Sequence, residues 1–266
     1  MMLRQGMSRR SFLATGAAAA AFSIPASRVF GQAAGAPASG QFRFAKIGCG
    51  GMGGGDLGST VGAGGVVVGL CDVDPKRAEK AFQQYPDVPK FSDYRKMLDK
   101  LEKEIDAVVV STPDHTHAVA ALDAMRRGKH VYVQKPLART FEECQFMLEA
   151  SRKHKVVTQM GNQGHAGAGL IVWKKMADER AFGDILEVHT WSNRPIWPQG
   201  MTQAPAPEPT PEGMDWDCWI GPAAMRPFSS AYAPFKWRGW WDFGCGAMGD
   251  MACHNMDPAF WALKLG

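Results

Sequence analysis

Apolar residues along the chain fall into two alternating patterns. Short, almost continuous apolar runs indicate buried strands, and they occupy residues 42–47, 65–70, 105–111, 130–133 and 156–160. Segments with helical spacing or helix-boundary residues lie between them, at residues 74–84, 92–103, 118–127 and 140–154. Buried strands that alternate with helices are typical of a parallel sheet covered on both faces. The pattern therefore predicts an α/β domain with a doubly wound parallel sheet over residues 42–161.

The pattern changes after residue 161. Residues 169–181 look helical, and residues 185–192 alternate apolar and polar side chains, which indicates an antiparallel strand with one solvent-facing side. A Pro-rich loop follows at residues 194–212, and loops of that length usually carry function. We expect residues 162–266 to begin a second domain. Because a half-built sheet cannot bury its face, we expect that domain to lack its C-terminal strands here.

A glycine-rich turn follows the first predicted strand. It reads Gly48-Cys-Gly50-Gly51-Met52-Gly53, which is the spacing GxGxxG. At a strand-to-helix turn the first glycine allows a sharp bend, the second lets a pyrophosphate approach, and the third lets the helix pack on the strand. The helix N-terminus then offers free N–H groups to phosphate oxygens. Because the chain has 30 glycines, a surface loop is the alternative for this motif taken alone.

An acidic residue supports the nucleotide interpretation. Asp72 follows the second apolar run, 19 residues after Gly53, and a separation of about 20 residues is typical for the carboxylate that binds a ribose. Such a carboxylate accepts hydrogen bonds from ribose hydroxyls and repels a 2′-phosphate, which favours NAD over NADP. Lys76 and Arg77 lie close enough to weaken that preference. The alternative role of Asp72 is to cap the helix that begins near Pro75.

Net charge is concentrated at the N-terminus. The chain has 30 Lys and Arg against 26 Asp and Glu, and residues 1–34 hold four arginines and no acidic residue. The remainder is neutral, which gives no reason to expect a nucleic acid or an anionic membrane as partner. Ser8-Arg9-Arg10-Ser11-Phe12, an apolar run at residues 14–24 and small residues at 26–36 match a twin-arginine export signal.

The export signal has consequences for location and cofactor. We expect residues 1–34 to be the signal peptide, residues 35–41 a linker, and the protein to be periplasmic or otherwise exported by the twin-arginine translocase. A disordered basic tail or an uncleaved anchor is the alternative. Because this route exports folded proteins, we expect a cofactor that is tightly bound before export. The six cysteines form no CxxC pair, which favours free thiols.

Lys135 is the first candidate for chemistry. It ends the segment Val-Tyr-Val-Gln-Lys at the C-terminal end of a predicted parallel strand, and ligands bind at that edge of such sheets. The alternative is an ordinary exposed lysine.

Asp250 and His254 form the second candidate, because a spacing of four places both side chains on one helical face. A histidine accepts a proton near neutral pH and a carboxylate can orient it, although a core histidine is the alternative.

Residues 112–117, Thr-Pro-Asp-His-Thr-His, form the third candidate at the end of a central strand. A cofactor in the crevice of a parallel sheet lies against such a strand end. His115 and His117, together with Cys253 and His254, raise the question of zinc. No pair among them has the spacing of a zinc motif, so we expect no metal.

Four motifs together resemble the Gfo/Idh/MocA oxidoreductases, the family of glucose-fructose oxidoreductase and inositol 2-dehydrogenase. They are GCGGMG at 48–53, TPDHTH at 112–117, GKHVYVQKP at 128–136 and GCGAMGDMACH at 244–254. The resemblance runs from about residue 42 to the end. It implies a Rossmann domain followed by an α+β domain with an open, mostly antiparallel sheet, truncated here, that carries substrate and oligomer contacts. It also implies that Lys135, Asp250 and His254 form the catalytic group.

One position departs from the family pattern. The family usually has Glu-Lys-Pro where this chain has Gln134-Lys135-Pro136. Glutamine keeps the shape of the side chain and loses its charge. The change bears on the cofactor preference and on the tuning of Lys135.

The resemblance implies an NAD(P)-dependent dehydrogenase that oxidises a secondary hydroxyl of a sugar, sugar derivative or cyclitol, and that forms a homo-oligomer. Two alternatives remain open. One is an NAD-dependent glycosidase that acts by transient oxidation at C3 and elimination, and the other is a non-catalytic sensor of NAD and sugar. The residues expected to contact the cofactor are Gly48, Gly50, Gly51, Met52, Gly53, Asp72, Thr112, Pro113, Asp114, His117, Gln134 and Lys135. Those expected to contact the substrate are Asn162, Arg194, Trp197, Trp237 and Arg238.

Overall fold

A computed structural model of the protein describes residues 41–265. The predicted signal peptide, residues 1–34, and all but the last residue of the predicted linker, residues 35–41, lie outside the described part. Within residues 41–265, no helix combines the length and the apolar character needed to cross a bilayer.

Residues 42–161 form the predicted α/β domain around one six-stranded parallel sheet. Its strands are β1 (Arg43–Ile47), β2 (Val66–Cys71), β3 (Lys90–Phe91), β4 (Ala107–Val110), β5 (His130–Gln134) and β6 (Thr158–Gly161), in the spatial order β3-β2-β1-β4-β5-β6. The helices between them are α1 (Met52–Gly62), α2 (Pro75–Gln84), α3 (Tyr94–Leu101), α4 (Asp114–Arg126) and α5 (Phe141–His154).

The register of the sheet determines where a site can form. Ile47 pairs with Cys71 on one side and with Val110 on the other, and Val110 pairs with Val133. The C-terminal ends of β1, β2, β4 and β5 therefore lie side by side. The order reverses at β1, with β2 on one side and β4 on the other, and the crevice at such a switch point is where parallel sheets bind ligands.

The central strands are buried on both faces, as their apolar runs predicted, whereas Thr158 and Gln159 of the edge strand β6 are exposed. Val108 and Val110 face one core with α3, α4 and α5, while Val109 faces the other with α1 and α2. Successive strand residues point to opposite faces, so a strand covered on both sides must be apolar at nearly every position.

Polar residues define two of the helix starts. Thr140 and Glu143 form the predicted capping box at the start of α5. Asp74 caps α2 by accepting hydrogen bonds from the backbone N–H groups of Lys76 and Arg77. The alternative role considered for Asp72, capping this helix, is therefore taken by Asp74.

Residues 162–265 contain α6 (Ala168–Asp178), α7 (Trp216–Ile220), α8 (Gly246–Asn255) and α9 (Asp257–Leu263), and two short 3₁₀ turns. The strand predicted for residues 185–192 is wrong: the described chain beyond Gly161 contains no strand. No strand of the described chain pairs with residues 185–192, although the side-chain amide of Asn255 donates to the carbonyl oxygen of Trp191. Apolar alternation alone does not make a strand. The core of this region is instead a cluster of aromatic rings around Trp219, Tyr232 and Phe243.

Candidate active site

A cavity of about 810 Å³ opens at the C-terminal edge of the sheet. Its walls come from the glycine turn after β1, the ends of β2, β4 and β5, and residues 194–254. Sixteen of the residues expected at the site line it: Gly48, Gly50, Gly51, Met52, Gly53, Asp72, Thr112, Pro113, Asp114, Gln134, Lys135, Arg194, Trp237, Arg238, Asp250 and His254. The sheet edge and the second half of the chain thus share one crevice.

The glycine turn has the geometry that its sequence predicts. Gly48 has a φ of +80°, and a Cβ there would lie 2.4 Å from the carbonyl oxygen of Ser111. A Cβ on Gly53 would lie 2.2 Å from the carbonyl oxygen of Gly48, so α1 packs directly against the strand end. No side chain caps the N-terminus of α1. The N–H groups of Gly53 and Gly54 donate to the carbonyl oxygens of Gly50 and Gly51, and no side chain stands between the positive end of the helix dipole and an anion in the cavity.

Asp72 lies at the end of β2 against the glycine turn. Its carboxylate accepts hydrogen bonds from the backbone N–H of Cys49, at 2.7 Å, and of Asp74, at 2.9 Å. Burial raises the pKa of Asp72 above its usual range. The carboxylate thus fixes the turn, and Asp72 lines the cavity together with Arg77.

Residues 112–117 divide between the cavity and the packing beneath it. Thr112, Pro113 and Asp114 line the cavity, and Asp114 accepts a hydrogen bond from the backbone N–H of Cys245. His117 is buried outside the lining, with its ring nitrogens 2.8 Å from the carbonyl oxygens of Thr112 and Pro136. Because both nitrogens are occupied, His117 ties the end of β4 to the end of β5 and leaves no ring atom for a cofactor.

The central contact of the site joins Lys135 to Asp250. Lys135 Nζ donates to Asp250 Oδ1, at 2.9 Å, and to the backbone carbonyl oxygen of Asp250, at 2.8 Å. The side chains are 15% and 9% exposed. A partly desolvated ion pair with two hydrogen bonds holds the ammonium in one position. Since an ammonium has three N–H bonds, one remains for a ligand in the cavity.

His254 lies one helical turn after Asp250 on α8 and also lines the cavity. Burial lowers the pKa of His254, and the positive charge of Lys135 lowers it further, while the carboxylate of Asp250 acts in the opposite direction. The imidazole is therefore neutral at pH 7 and can accept a proton. The structure thus places all three residues of the expected catalytic group around one space.

The residues expected to contact a substrate divide into two groups. Arg194, Trp237 and Arg238 line the cavity, and the Arg238 guanidinium lies 4.2 Å above the Trp237 ring and 3.4 Å from Asp250. Trp197 is buried outside the lining, edge-on to a phenylalanine ring. Asn162 also lies outside it and donates to the carbonyl oxygen of Cys253. These two residues support the walls of the cavity.

One part of the cavity wall has no sequence pattern that indicates a site. Met214, Asp217, Cys218, Trp219, Gly221 and Pro222 line the cavity beside the end of β2. The N–H of Asp215 donates to the carbonyl oxygen of Val73 at 2.8 Å, which brings this segment across the sheet edge. Its tryptophans suggest only a core segment, because no local pattern reveals a contact between residues more than 140 positions apart.

The fold and the site define a class of protein: a parallel dinucleotide-type sheet whose crevice holds a Lys/Asp/His group. Comparisons with known families agree. Residues 42–162 match the family model described as "Oxidoreductase family, NAD-binding Rossmann fold", and residues 174–265 match "Oxidoreductase family, C-terminal alpha/beta domain". The chain belongs to the Gfo/Idh/MocA family of oxidoreductases.

Two curated relatives illustrate the similarity. The chain is 32% identical to an inositol 2-dehydrogenase of Salmonella typhimurium over 135 residues. This alignment covers 50% of this chain and 39% of the relative. It is 28% identical to a levoglucosan dehydrogenase of Pseudarthrobacter phenanthrenivorans over 191 residues. This second alignment covers 71% of this chain and 40% of the relative. The matched part of the chain thus spans about two fifths of the length of these relatives.

Solved structures share the fold. The WlbA dehydrogenase from Chromobacterium violaceum, in complex with NADH and UDP-GlcNAcA, has a TM-score of 0.61 at 24% identity, over 84% of this chain and 55% of that chain. The myo-inositol 2-dehydrogenase from Lactobacillus plantarum has a TM-score of 0.50 at 26% identity, over 55% of this chain and 43% of that chain.

Proposed function

We propose that the protein oxidises a secondary hydroxyl of a sugar, sugar derivative or cyclitol with NAD(P) as hydride acceptor. The observation that carries this proposal is the Lys135–Asp250 ion pair, with His254 beside it, in the same cavity as the glycine turn. Relatives named inositol 2-dehydrogenase and levoglucosan dehydrogenase indicate the substrate class.

The cavity residues fit a dinucleotide. The uncapped N-terminus of α1, with the backbone bare of side chains at Gly50 and Gly53, suits the pyrophosphate. Asp72 stands where a ribose carboxylate belongs, which favours NAD, and Arg77 beside it leaves NADP open. When bound, the nicotinamide supplies the hydride-accepting carbon, and that chemistry belongs to the cofactor.

The residues of the chain supply binding and proton transfer. Neutral His254 accepts the proton of the substrate hydroxyl. The free N–H of Lys135 donates to the same oxygen and stabilises the alkoxide charge that develops as the proton leaves. Asp250 holds Lys135 in place, and Arg238, which contacts both Asp250 and Trp237, forms the wall against which a sugar ring packs. The group therefore acts as a general base next to an electrostatic stabiliser.

The test begins with the purified full-length protein. We expect denaturation to release NAD(H) or NADP(H), which mass spectrometry then detects. This measurement also tests whether the cofactor is tightly bound. A panel of pyranoses, anhydrosugars and inositols is then assayed for formation of reduced nucleotide at 340 nm, with His254→Asn as the matched control. A protein that binds neither nucleotide, or that reduces it with no member of the panel, contradicts the proposal.

A second reaction is proposed for the same site because one relative, 29% identical over 130 residues, is named 2,7-anhydro-N-acetylneuraminate hydratase, a name that describes no net oxidation. In a redox-neutral reaction the bound nicotinamide would take a hydride from the sugar and give it back. Between these two transfers a neighbouring proton and substituent would be eliminated, and water would add to the resulting double bond. An aryl glycoside supplied without added NAD distinguishes the two. Release of the aglycone supports the cycle, whereas stoichiometric reduced nucleotide supports simple dehydrogenation.

Location and assembly are part of the proposal. We infer that residues 1–34 direct twin-arginine export to the periplasm, because Arg9 and Arg10 precede an apolar run. We also infer a homo-oligomer formed through the second domain. Replacement of both arginines by lysine should retain the protein in the cytoplasmic fraction, and light scattering of the mature protein measures the assembly. Unchanged export of the double-lysine variant contradicts the first inference, and a monomer contradicts the second.

A further inference from the structure

A buried polar network lies beneath the glycine turn. Lys46, on β1, is 0% exposed and donates from Nζ to Ser111 Oγ at 2.5 Å. Ser111 Oγ in turn donates to Asp56 Oδ2 at 2.6 Å. The side-chain amide of Gln134 donates to both carboxylate oxygens of Asp56, at 3.0 and 2.9 Å. The four residues come from β1, α1 and the ends of β4 and β5, and they meet directly under the proposed cofactor site.

The network holds two buried charges of opposite sign. Asp56 is 7% exposed, and burial lowers the pKa of Lys46 to about 8. A buried charge is costly unless it is paired and hydrogen-bonded, and a half-satisfied network is worse than an apolar core. Here the Asp56 carboxylate accepts three hydrogen bonds, two from Gln134 and one from Ser111. Removing any one of these side chains therefore leaves a buried polar group without a hydrogen-bond partner.

Asp56 determines which way the Gln134 amide points. An ionised carboxylate only accepts hydrogen bonds, so Gln134 must present its NH₂ group to Asp56. The Gln134 oxygen then faces the other way, where it accepts a hydrogen bond from the backbone N–H of Lys135 at 3.1 Å. The amide thus joins the buried carboxylate to the backbone of the lysine that contacts Asp250. A glutamate at position 134 would place a second carboxylate about 3 Å from Asp56, where two like charges repel.

We propose that Asp56 and Gln134 are positioning residues for Lys135, and that Asp56 is the reason this chain carries glutamine at position 134. The carboxylate of Asp56 orients the amide, and the amide holds the backbone from which the lysine reaches the site. The kinetic part of this inference rests on the proposed dehydrogenase function. The two residues form an exchangeable pair, because one carboxylate and one amide satisfy the network in either order.

Three variants of the full-length protein test the pair: Asp56→Asn, Gln134→Glu and the double variant. Each single variant should lower kcat roughly tenfold to hundredfold through a displaced lysine. Because Asp56 lies outside the cavity lining, Asp56→Asn should change the dissociation constant for NAD by less than about threefold. In the double variant the amide donates from position 56 to the carboxylate at 134, which still accepts from the N–H of Lys135, so kcat should return to within about fivefold of wild type. Asp123→Asn, on α4 and outside the cavity, is the matched control.

The double variant separates positioning from simple stability. A residue that only stabilises the fold would lower the melting temperature without a selective loss of kcat in protein that is fully folded at the assay temperature. Folded Asp56→Asn with wild-type kcat overturns the proposal, and so does a double variant no better than the worse single variant. If a single variant does not fold, the double variant still decides, because restored folding without restored kcat contradicts positioning.

A second measurement is independent of activity. Brief labelling with acetic anhydride, read by mass spectrometry, reports how firmly Lys135 is held against Asp250. Labelling of Lys135 should rise several-fold in each single variant and return towards the wild-type rate in the double variant, while exposed Lys155 stays constant. If wild-type protein oxidises no sugar or cyclitol, the proposed function fails and this labelling still tests the network. Equal labelling of Lys135 in the wild-type protein and all three variants overturns the proposal that Asp56 and Gln134 position Lys135.

Discussion

Residues 42–161 and residues 162–265 are stabilised by different kinds of contact. The first region has six paired strands and aliphatic side chains packed on both faces of the sheet. The second has no strand in its described part and is organised around stacked aromatic rings, with Trp216 and Trp219 4.6 Å apart and Phe243 edge-on to Trp219. Backbone pairing supports the first region, whereas side-chain packing supports the second.

The second region depends on the first for its position. His115, at the start of α4, packs against the rings of both Trp219 and Phe243 and donates its backbone N–H to the carbonyl oxygen of Phe243. Asp114 accepts a hydrogen bond from the N–H of Cys245, immediately before α8. The helix that carries Asp250 is thus attached to the end of a sheet strand. The geometry of the candidate site is therefore set where the irregular region contacts the regular one.

The largest expected effect comes from removing a ring of the aromatic cluster. Phe243 is fully buried against Trp219, Tyr232 and His115, and Phe243→Ala should cost about 4 kcal/mol. We expect the loss to be local, since no backbone ladder links this cluster to the sheet. Hydrogen exchange should rise over residues 213–245 and stay slow in the sheet. Leu98→Ala, in the aliphatic core, should instead lower the stability of the whole sheet. Identical exchange patterns in the two variants would contradict the idea that the two regions are stabilised separately.

The contact between the two regions at the site is tested by Lys135→Gln. The variant keeps hydrogen-bond donors for Asp250 but loses the positive charge that stabilises an alkoxide. We expect kcat to fall roughly 10²–10³-fold, as when one preorganised donor is removed from an active site. Steady-state assays at 340 nm measure the change, and Lys153→Gln on the exposed face of α5 is the control. Turnover within twofold of wild type would remove Lys135 from the mechanism.

The junction at His115 should respond to acid. Burial lowers the pKa of His115 to about 4, whereas an unfolded histidine titrates near 6.5. As pH falls below 6.5 the unfolded state takes up the proton first, so stability is lost by about 1.4 kcal/mol per pH unit until about pH 4. Between pH 6.5 and 5 this amounts to about 2 kcal/mol from His115.

Urea unfolding at pH 7 and pH 5 measures this dependence. The difference in unfolding free energy between the two pH values should be smaller in His115→Phe, which keeps an aromatic ring packed against Trp219 and Phe243. His189→Phe, on an exposed segment, should keep the wild-type difference. An unchanged difference in His115→Phe would show that other groups carry the pH dependence.

The smallest expected effect lies in the regular region. Thr140→Ala removes half of the capping box of α5 and should cost about 1 kcal/mol. Glu143→Ala removes the reciprocal hydrogen bond and should cost less, because the threonine cap remains. Thermal unfolding should show a small, global shift for both variants, without the local exchange expected for Phe243→Ala. A Thr140→Ala protein as stable as wild type would mean that the sheet, and not the cap, holds α5.

The candidate site was predictable where its chemistry is local. The glycine turn, Asp72, Lys135 and the Asp250/His254 spacing are each encoded within a few residues of sequence, and the structure brings all of them to one cavity. Asn162, His117 and Trp197 have equally suggestive sequence positions but lie outside the lining, where they support it. Residue type and spacing identify a reactive side chain, but they do not show which way it faces.

The sequence by itself determined the order of the helices and of five of the six strands in residues 42–161, because hydrophobic period and capping residues act between neighbours in the chain. It did not indicate β3, which has only two residues, Lys90 and Phe91. Only the tertiary structure decided that Lys135 meets Asp250 across 115 positions, that Asp56 orients Gln134, and that residues 185–192 form no strand. Such contacts depend on the packing of whole elements, and no local pattern records them. A strand also needs a partner, and its own sequence cannot supply one.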